Sequence, residues 1–425
     1  MADTSTILDR RARLLGPNMT TFYTKPVHVV RGEGAWLWDA EGNRFLDCYN
    51  NVPHVGHAHP KVVEAITRQA ATLNTHTRYL HEGILDYAER LTGTMGHDLE
   101  TVIMVCTGSE ANDIALRMGR AVTGKYGIIC TDNTYHGNTD LVSHLSAKRT
   151  PIGGPLDWVK KVPSPDQLAP LGGSAEAQAQ AFADEVQKAI DALDAEGHGF
   201  GTLILDPFFA NEGFPDLAKG FLDPTVEVVR RAGGIIIADE VQPGFGRTGR
   251  NFWGHDRIGL APDIVTMGKP MGNGHPVAAV VTRPEIMAEF RNRFGYFNTF
   301  GGNAVSAAAA MAVLDVLDDE RLVDNARDTG DYALGLLREL DHPMIADVRG
   351  AGMFLGLEFA IDGDTKAAAG FCKQLVNEMR DRRVLLNAVG RHYHGIKIRP
   401  PMCFDRAQAD LLVETLDAVL KALPA

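Results

Sequence analysis

Two ionisable residues stand at the ends of apolar, β-type runs in this sequence. The run GIIIA is followed by Asp239, and the run DIVTM leads through Gly268 to Lys269 in the stretch TMGKPMGNGHP. The carboxyl ends of neighbouring parallel strands meet at one edge of a sheet, where ligands bind. Taken singly, Asp239 could cap a turn and Lys269 could be a solvated lysine. Together they fit a cofactor that forms a Schiff base and carries a pyridinium nitrogen.

A phosphate site is expected beside this pair. The run VIMVC continues into Thr107-Gly108-Ser109 and a helix follows from Glu110, so backbone N–H groups and a hydroxyl would face an anion at a helix N-terminus. An ordinary helix cap explains these residues equally well. After the run GIIC, Tyr135 and His136 supply an aromatic side chain that could cover a ring. These groups predict pyridoxal 5'-phosphate as the cofactor.

The elements that must position these residues alternate along the middle of the chain. From about residue 60 to 317, short β-type runs alternate with helical patterns, which is typical of a parallel sheet covered by helices. The predicted strands are VIMVC, GIIC, TLIL, GIIIA, DIVTM and AAVVT. Helical periodicity is clear in EANDIALRMGRAVTG and FADEVQKAIDALDAEG. We therefore predict one large α/β domain over residues 61–320.

The two ends of the chain have a different pattern. The stretch VRGEGAWLWDAEGNRFLD predicts short antiparallel strands separated by turns. Near the C-terminus the sequence predicts a helix in DTGDYALGLLRELD, a strand in MFLGLEFA and a last amphipathic helix in RAQADLLVETLDAVLKAL. We expect residues 1–60 and 321–425 to build a second, smaller α+β domain together.

Composition excludes several classes of protein. The chain of 425 residues is 45% hydrophobic and 23% charged, which is typical of a globular protein. A formal net charge of −12 argues against nucleic-acid binding, which needs a cationic surface. The five cysteines are scattered and form no C-x-x-C pair, so neither a disulfide framework nor a zinc site is predicted. No apolar run approaches the roughly 20 residues of a membrane helix, and we expect a cytoplasmic protein that binds no membrane.

Two motifs invite other interpretations. GFGRTG, residues 244–249, matches the dinucleotide fingerprint G-x-G-x-x-G, but its glycines come late after the strand and RNFWGHDRIG beyond them has no helical pattern. His54, His57 and His59 of HVGHAHP could suggest a metal site, but no cysteine or carboxylate lies close in sequence to complete it. We expect neither a dinucleotide nor a metal.

The chain resembles the class III, fold type I pyridoxal-phosphate enzymes, a family that includes the ω-aminotransferases. The motifs that carry the resemblance occur in the family's order over nearly the whole chain: TGSEAND, TYHG, ADEVQPGFGRTG, TMGKPMGNGHP and FNTFGGN. The resemblance implies a large, mainly parallel sheet domain and a smaller α+β domain formed by both chain ends.

The resemblance also implies roles around the cofactor ring. Lys269 would carry the cofactor covalently and Asp239 would pair with the pyridine nitrogen. Val241 would pack on one face of the ring and Tyr135 on the other. Gln242 would approach the phenolic oxygen.

The cofactor phosphate has its own predicted residues. Gly108 and Ser109 would hold it, and His136 belongs to the same predicted cofactor site. By the resemblance, Thr299 of FNTFGGN completes the phosphate site from the neighbouring subunit. The implied assembly is an obligate homodimer with shared active sites.

One segment departs from the family pattern. Aminotransferases of this family show a segment close to E-P-x-x-G-E-G-G, whose second glutamate can pair with an active-site arginine when no substrate carboxylate is present. Here residues 206–213 read DPFFANEG, so the first acid is shortened to Asp206 and the second is displaced by one position to Glu212. A loop could absorb that slip, so the departure weakens the glutamate gate without excluding it.

Other stretches are similar to the ethanolamine-phosphate phospho-lyases of this family, namely DCYNNVPHVGHAHP, LNTHTRYLHE, YFNTFGG, NGHPVA and IRPPMCF. Arg399 stands where aminotransferases keep a carboxylate-binding arginine, and Arg78 stands where many of them have an uncharged residue. Because a guanidinium binds phosphate bidentately, we expect Arg399 and Arg78 to bind the phosphate of a phosphorylated amine substrate. Asn51 is a further predicted substrate-binding residue. A surface or interface salt bridge is the other interpretation of Arg78.

These likenesses imply a phospho-lyase that converts ethanolamine phosphate to acetaldehyde, ammonia and phosphate, with Lys269 as general base. The alternative is an ω-aminotransferase that moves an amino group from an amine or ω-amino acid to an oxo acid. Both activities share every predicted cofactor residue. A non-catalytic pyridoxal-phosphate-binding or interaction protein is a third interpretation, which the intact Lys269 and Asp239 disfavour.

Overall fold

The structure of the protein is a computed structural model that describes residues 4–146 and 151–423. Its strands in these ranges are β1 (Val29–Glu33), β2 (Trp36–Asp39), β3 (Arg44–Asp47), β4 (Thr101–Val105), β5 (Gly127–Thr131), β6 (Val159–Val162), β7 (Phe200–Leu205), β8 (Ile235–Asp239), β9 (Ile264–Met267), β10 (Ala278–Thr282), β11 (Ile345–Ala351), β12 (Phe354–Phe359), β13 (Val384–Leu385), β14 (Asn387–Val389) and β15 (Gly395–Ile398).

The helices of the same ranges are α1 (Thr4–Leu15), α2 (Pro60–Thr72), α3 (Glu82–Thr92), α4 (Gly108–Thr123), α5 (Asp140–Ser143), α6 (Gln178–Ala195), α7 (Asp223–Arg231), α8 (Gly254–Ile258), α9 (Pro284–Arg293), α10 (Ala304–Asp319), α11 (Leu322–Arg338), α12 (Ala369–Asp381) and α13 (Arg406–Ala422). Short 3-10 turns lie at Leu171–Gly173 and Lys269–Gly272.

A seven-stranded sheet forms the centre of the molecule, in the order β4-β10-β9-β8-β7-β5-β6. It contains all six strands predicted for the large domain, so the α/β fold with a mainly parallel sheet is confirmed. The sequence did not reveal β6, whose residues VKKV form an edge strand that is only partly buried. Two lysines at a sheet edge hide the apolar pattern by which strands are recognised.

Strand β10 is the exception to the parallel arrangement, because it pairs antiparallel with both β4 and β9. The expectation of a parallel strand at AAVVT is therefore wrong. Only residues 268–277 connect β9 to β10, whereas a parallel crossover needs a dozen or more residues, usually including a helix. The short connection reverses the chain and keeps Lys269 in a tight turn at the edge of the sheet.

Helices pack on the sheet at short range. Helix α4 begins with a capping box between Thr107 and Glu110, and its C-cap residue Gly124 has a left-handed conformation with φ +67°. At Gly119 an added Cβ would lie 2.3 Å from Oγ1 of Thr202 on β7, so only glycine allows this close approach. The contact fixes α4 over the strands whose ends carry the predicted site.

Two smaller sheets come from the ends of the chain. One has the order β1-β2-β3-β13, in which β13 of the C-terminal part pairs in parallel with β3 of the N-terminal part. The other has the order β11-β12-β15-β14. The predicted antiparallel meander near the N-terminus is confirmed, and the domain limits at residues 60 and 320 remain predictions.

The structure also describes the cysteines and the apolar character of the helices. The cysteines at positions 48, 106, 130, 372 and 403 are free thiols. Within the ranges described above, no helix has the length and apolar character needed to cross a lipid bilayer.

Candidate active site

One cavity of about 330 Å³ lies at the carboxyl ends of the central strands. Residues that follow β4, β5, β7, β8 and β9 line it, as expected for a ligand site in an open α/β sheet. The structure brings together here these predicted site residues: Gly108, Ser109, Tyr135, His136, Asp239, Val241, Gln242 and Lys269.

Lys269 opens the 3-10 turn that follows β9, and its side chain projects into this cavity. The amine reaches solvent through the cavity, yet protein atoms surround it closely. Desolvation lowers the pKa of the Lys269 amine, while the negative charge of Asp239 opposes this shift. A lowered pKa increases the neutral fraction of the amine, which is the form that attacks a carbonyl and accepts a proton.

Asp239 is the last residue of β8 and is almost fully buried. Its Oδ2 accepts hydrogen bonds from Nδ1 of His136 at 2.7 Å and from Nδ2 of Asn112 at 2.9 Å. Its Oδ1 accepts from the backbone N–H of Val241 at 3.0 Å, so the turn-capping interpretation of Asp239 also holds. Because an ionised carboxylate only accepts, His136 carries its hydrogen on Nδ1. The carboxylate is thus oriented from three sides at the cavity wall.

Sequence reasoning missed the role of Asn112. This residue of α4 is fully buried, and its Oδ1 accepts from Oγ1 of Thr266 on β9 at 2.6 Å. Its Nδ2 also donates to the backbone oxygen of His136 at 2.7 Å. An asparagine among the apolar positions of a helix is unfavourable unless its amide is bonded, which was the available signal. Asn112 ties α4 and β9 to the carboxylate of Asp239.

The start of α4 combines a helix cap with the predicted phosphate site. Oγ1 of Thr107 accepts from the N–H of Glu110, and the carboxylate of Glu110 accepts from the N–H of Thr107 at 2.9 Å, so the cap interpretation is correct. Gly108 and Ser109, the next two residues, face the cavity with the positive end of the helix dipole. An added Cβ at Gly108 would lie 3.0 Å from Cγ2 of Val241. The glycine therefore lets the helix start pack directly against Val241 in the turn after β8.

Arg399 lies directly after β15 and is buried, outside the lining of the cavity. Its Nη1 donates to Oε1 of Gln242 at 2.7 Å, which connects it to the cavity wall. Its guanidinium carbon lies 4.8 Å from the ring centre of Tyr49. Burial lowers the pKa of Arg399, and the neighbouring Tyr49 and Asp47 oppose that shift.

The segment 206–213 does not form a glutamate gate in this structure. Oε1 of Glu212 accepts from Oγ1 of Thr131 at 2.6 Å, and Oε2 accepts from the N–H of Asn211 at 3.0 Å. Burial raises the pKa of Glu212. Both oxygens of Glu212 are thus bound, one at the end of β5 and one within the segment itself, and the structure shows no hydrogen bond between Glu212 and Arg399 in the described residues.

Asp206 is a further carboxyl group at the cavity that sequence reasoning did not assign to the site. It accepts from the N–H groups of Phe208 at 2.9 Å and Ala210 at 3.3 Å. Burial, followed by the charge of Glu212, raises its pKa well above the usual value. The charges of Asp239 and, to a smaller extent, Asp206 both oppose the lowering of the Lys269 pKa.

Arg78 and Thr299 lie outside the cavity lining, on the exposed surface of the chain. The guanidinium of Arg78 stacks over the ring of Phe297 at 3.9 Å, two residues before Thr299. In one copy of the chain, therefore, the structure brings Arg78 close to the FNTFGGN segment but not to Lys269. The observed partner of Arg78 is an aromatic ring and not the carboxylate that a salt bridge would require.

Asn51 is buried in the segment that also carries Tyr49. Its Nδ2 has no hydrogen-bond partner among the residues the structure describes. A buried amide with an unsatisfied donor is unfavourable without a ligand or water. This observation agrees with the predicted role of Asn51 in substrate binding, although Asn51 itself is absent from the cavity lining.

The two motifs with alternative interpretations are explained by the fold. Residues 244–249 form turns after β8, and the short helix α8 lies within RNFWGHDRIG, so the expectation of no helix there is wrong. The five-residue helix was missed because it is too short to show periodicity. His54, His57 and His59 bond to separate partners, the backbone oxygen of Phe245, Asp47 and Glu320 respectively.

The residues present fit pyridoxal 5'-phosphate. A lysine amine, a buried carboxylate held for a ring nitrogen, and a glycine-containing helix start for a phosphate all border one cavity. The structural observation that favours an anion at this point is the N-terminus of α4, whose residues Gly108 and Ser109 line the cavity.

Comparison with known proteins gives consistent results. A sequence profile of the class-III aminotransferase family matches residues 20–420. The fold is similar to that of a phospholyase from Arthrobacter in complex with phosphoethanolamine, with a TM-score of 0.94 and 40% identity, covering 98% of this chain and 100% of that one.

Curated relatives carry both activity names. A Drosophila melanogaster protein named alanine–glyoxylate aminotransferase 2-like is 40% identical, over 97% of this chain and 87% of the relative. A Caenorhabditis elegans protein named ethanolamine-phosphate phospho-lyase homolog 1 is 37% identical, over 97% of this chain and 93% of the relative. The names of the relatives therefore leave the reaction open between lyase and aminotransferase.

Proposed function

The chain belongs to the class-III aminotransferase family, whose enzymes depend on pyridoxal 5'-phosphate. Within this family we propose that it is a phospho-lyase. Its substrate is ethanolamine phosphate or a similar phosphorylated amino alcohol. The products from ethanolamine phosphate and one water molecule are acetaldehyde, ammonia and phosphate.

The observation that carries the proposal is the bonding of Arg399. In aminotransferases that this chain resembles, a glutamate can pair with the arginine when no substrate carboxylate is present. Here the hydrogen-bond partner of Arg399 is the neutral amide of Gln242, and Glu212 is bound at β5. Within the described residues no carboxylate pairs directly with the Arg399 guanidinium, and such a cation suits a phosphate dianion, which brings its own negative charge. The similar Arthrobacter phospholyase, in complex with phosphoethanolamine, supports this choice.

Donors for the substrate phosphate remain available around Arg399. Its Nε is buried and, in the described part of the chain, has no hydrogen-bond partner. The unsatisfied Nδ2 of Asn51 supplies another donor. A phosphate that accepted from both groups would satisfy buried donors that are otherwise costly, by about 1–3 kcal/mol each.

In the proposed reaction the cofactor, when bound, draws electrons away from the carbon that bears the substrate amine. Asp239, whose Oδ1 and Oδ2 are fixed by Val241, Asn112 and His136, would hold the pyridine nitrogen in its protonated state. The Lys269 amine takes the proton from that carbon. The bond between the neighbouring carbon and the phosphate oxygen then breaks, and phosphate leaves with the electron pair and is held by Arg399. Hydrolysis of the remaining two-carbon unit releases acetaldehyde and ammonia.

A homodimer with shared active sites is part of this proposal. Arg78, Tyr79, Leu80 and Phe297 are exposed in the single chain, and Leu80 is completely so. Exposed apolar groups of this kind mark interaction surfaces. A second copy that covers this surface brings its own Thr299 and Arg78 toward the cavity, where they serve the cofactor phosphate and the substrate phosphate. The cytoplasmic location is likewise kept as a prediction.

The proposal is tested with the holoenzyme, ethanolamine phosphate and no oxo acid. Free phosphate and acetaldehyde should appear in equal amounts and continue over many turnovers. An aminotransferase would stop after one turnover without an oxo acid, because its cofactor would keep the amino group. If ethanolamine phosphate is untouched while amine passes to pyruvate at a useful rate, the phospho-lyase proposal is wrong. The aminotransferase named among the relatives would then be the better description, with Arg399 as a carboxylate receptor.

A further inference from the structure

Arg247 lies in the turn formed by GFGRTG, residues 244–249, and is completely buried. Its Nη1 donates to the backbone oxygens of Met353 at 3.0 Å and Pro400 at 2.8 Å. Its Nη2 bonds to Nδ1 of His54 at 3.0 Å. One guanidinium therefore joins the turn after β8 to the N-terminal part of the chain and to two points of the C-terminal part.

The contact with Pro400 is adjacent to Arg399 in the chain. Two prolines follow Arg399, and neither has an N–H group, so backbone donors cannot anchor this segment in a ladder. The backbone N–H of Arg399 donates to the oxygen of Cys48 at 2.7 Å, and that of Met402 donates to the oxygen of His54 at 2.7 Å. Between these two bonds the side chain of Arg247 provides the anchor that the prolines lack.

The ring of His54 fixes Arg247 in turn. Nε2 of His54 lies 2.8 Å from the backbone oxygen of Phe245, which only accepts, so Nε2 carries the hydrogen. In a neutral ring Nδ1 is then an acceptor, as the N–H of Arg247 requires. Burial and the charge of Arg247 lower the pKa of His54 well below its usual value, which agrees with this tautomer.

From these contacts we propose that Arg247, held by neutral His54, is a positioning residue for Arg399. It fixes residues 399–402 so that the Arg399 guanidinium meets the anionic end of the substrate. The inference rests on the proposed role of Arg399 as anion receptor, but it does not depend on whether the anion is a phosphate or a carboxylate. It also gives a function to the GFGRTG turn.

The test measures binding by the change in cofactor absorbance after rapid mixing of holoenzyme with three amines. Ethanolamine phosphate and β-alanine have an anionic end, whereas ethylamine has none. For Arg247→Met we expect a tenfold or larger increase in the Kd of the two anionic amines and less than a twofold change for ethylamine. Arg247→Lys keeps the charge and one donor direction, and should recover part of the affinity. His54→Asn changes the partner of Arg247 and leaves Arg247 in place. It should also raise the Kd of the two anionic amines more than that of ethylamine.

Arg250→Lys is the matched control, because Arg250 belongs to the same stretch but pairs with the exposed Asp331 at 2.6 Å. It should leave all three Kd values unchanged. Hydrogen exchange gives a second measurement: the amide of Met402 should exchange faster in the Arg247 and His54 variants, without faster exchange in β5 of the central sheet. The inference would be overturned if Arg247→Met raised the Kd of all three amines by the same factor, or if the wild-type protein bound all three with the same Kd. Absence of phosphate release from ethanolamine phosphate would instead overturn the proposed function, and the β-alanine titration would still decide the role of Arg247.

Discussion

Arg399 and Gln242 form a hydrogen bond of 2.7 Å between Nη1 and Oε1. Both side chains are buried, and the amide has no charge with which to neutralise the guanidinium. The bond orients Arg399 toward the turn that follows β8 while its positive charge stays available. This relationship distinguishes the site from one in which a glutamate closes over the arginine, and it leads to the first prediction.

Arg399→Lys should bind ethanolamine phosphate more weakly, because lysine keeps the charge but loses the bidentate geometry of a guanidinium. A charge-assisted contact is worth on the order of 2 kcal/mol, so KM should rise roughly tenfold or more. Steady-state phosphate release over a range of substrate concentrations measures it. Arg250→Lys, on the surface, is the control, and an unchanged KM in Arg399→Lys would contradict the assignment.

Lys269→Ala should abolish the Schiff-base absorbance of the bound cofactor and reduce turnover to background, because the amine is both the attachment point and the general base. The protein should still fold, since the Lys269 side chain projects into an open cavity. Absorbance spectra and circular dichroism of the same sample separate the two effects. A variant that keeps the absorbance and the turnover would show that another residue carries the cofactor.

Asp239→Asn should shift the pH dependence of the rate at which pyridoxal 5'-phosphate attaches to the cofactor-free protein. Burial lowers the pKa of Lys269, and the charge of Asp239 partly offsets that shift. The neutral amine reacts, so the rate of attachment rises as pH increases through this pKa. Removing the charge of Asp239 lowers the pKa further and moves the midpoint of the rate to lower pH. A midpoint that stays in place or moves to higher pH contradicts the interaction, while turnover should fall strongly because the ring nitrogen loses its partner.

Mixed dimers test the shared site. In chains that each carry either Lys269→Ala or Thr299→Ala, the proposed cross-subunit arrangement leaves one kind of site in a hybrid dimer with both residues intact. Refolding the two variants together should therefore restore activity above that of either variant alone. If cofactor affinity follows the Thr299 of the chain that holds Lys269, the site is not shared in this way.

His54 should make the protein less stable in mild acid. Its pKa is lowered in the folded state, whereas an unfolded histidine has a pKa of about 6.5. The contribution of His54 to the free energy of unfolding is fully present above about pH 6.5. It decreases as pH falls from about 6.5 toward the lower folded pKa, because the unfolded chain binds the proton more readily. The loss is about 1.4 kcal/mol per pH unit over this range.

The measurement is the decrease in Tm between about pH 7.5 and pH 5.5. His54→Gln should show a smaller decrease than the wild type, because glutamine does not titrate. His198→Gln, at a partly exposed histidine before β7, is the control and should match the wild type. An equal decrease in His54→Gln and the wild type would mean that the ring is protonated in the fold.

The sequence by itself determined the α/β class and predicted eight of the residues that line the cavity. Apolar runs such as GIIIA form buried strands, and the carboxyl ends of parallel strands lie at one edge of the sheet. Asp239 and Lys269 stand at the ends of two such strands and therefore lie at the same edge. The cap at Thr107 was local as well, because its partners are three residues away. These features depend on contacts near in sequence or on the general geometry of sheets.

Only the tertiary structure decided the contacts between distant segments. Asn112 reaches Asp239, Gln242 reaches Arg399, and Arg247 reaches Pro400, each across more than a hundred residues. Glu212 bonds to Thr131 at the end of β5, 81 residues earlier in the chain. Such pairings depend on how whole elements pack, and a local pattern in the sequence contains no information about the partner that packing brings to a side chain.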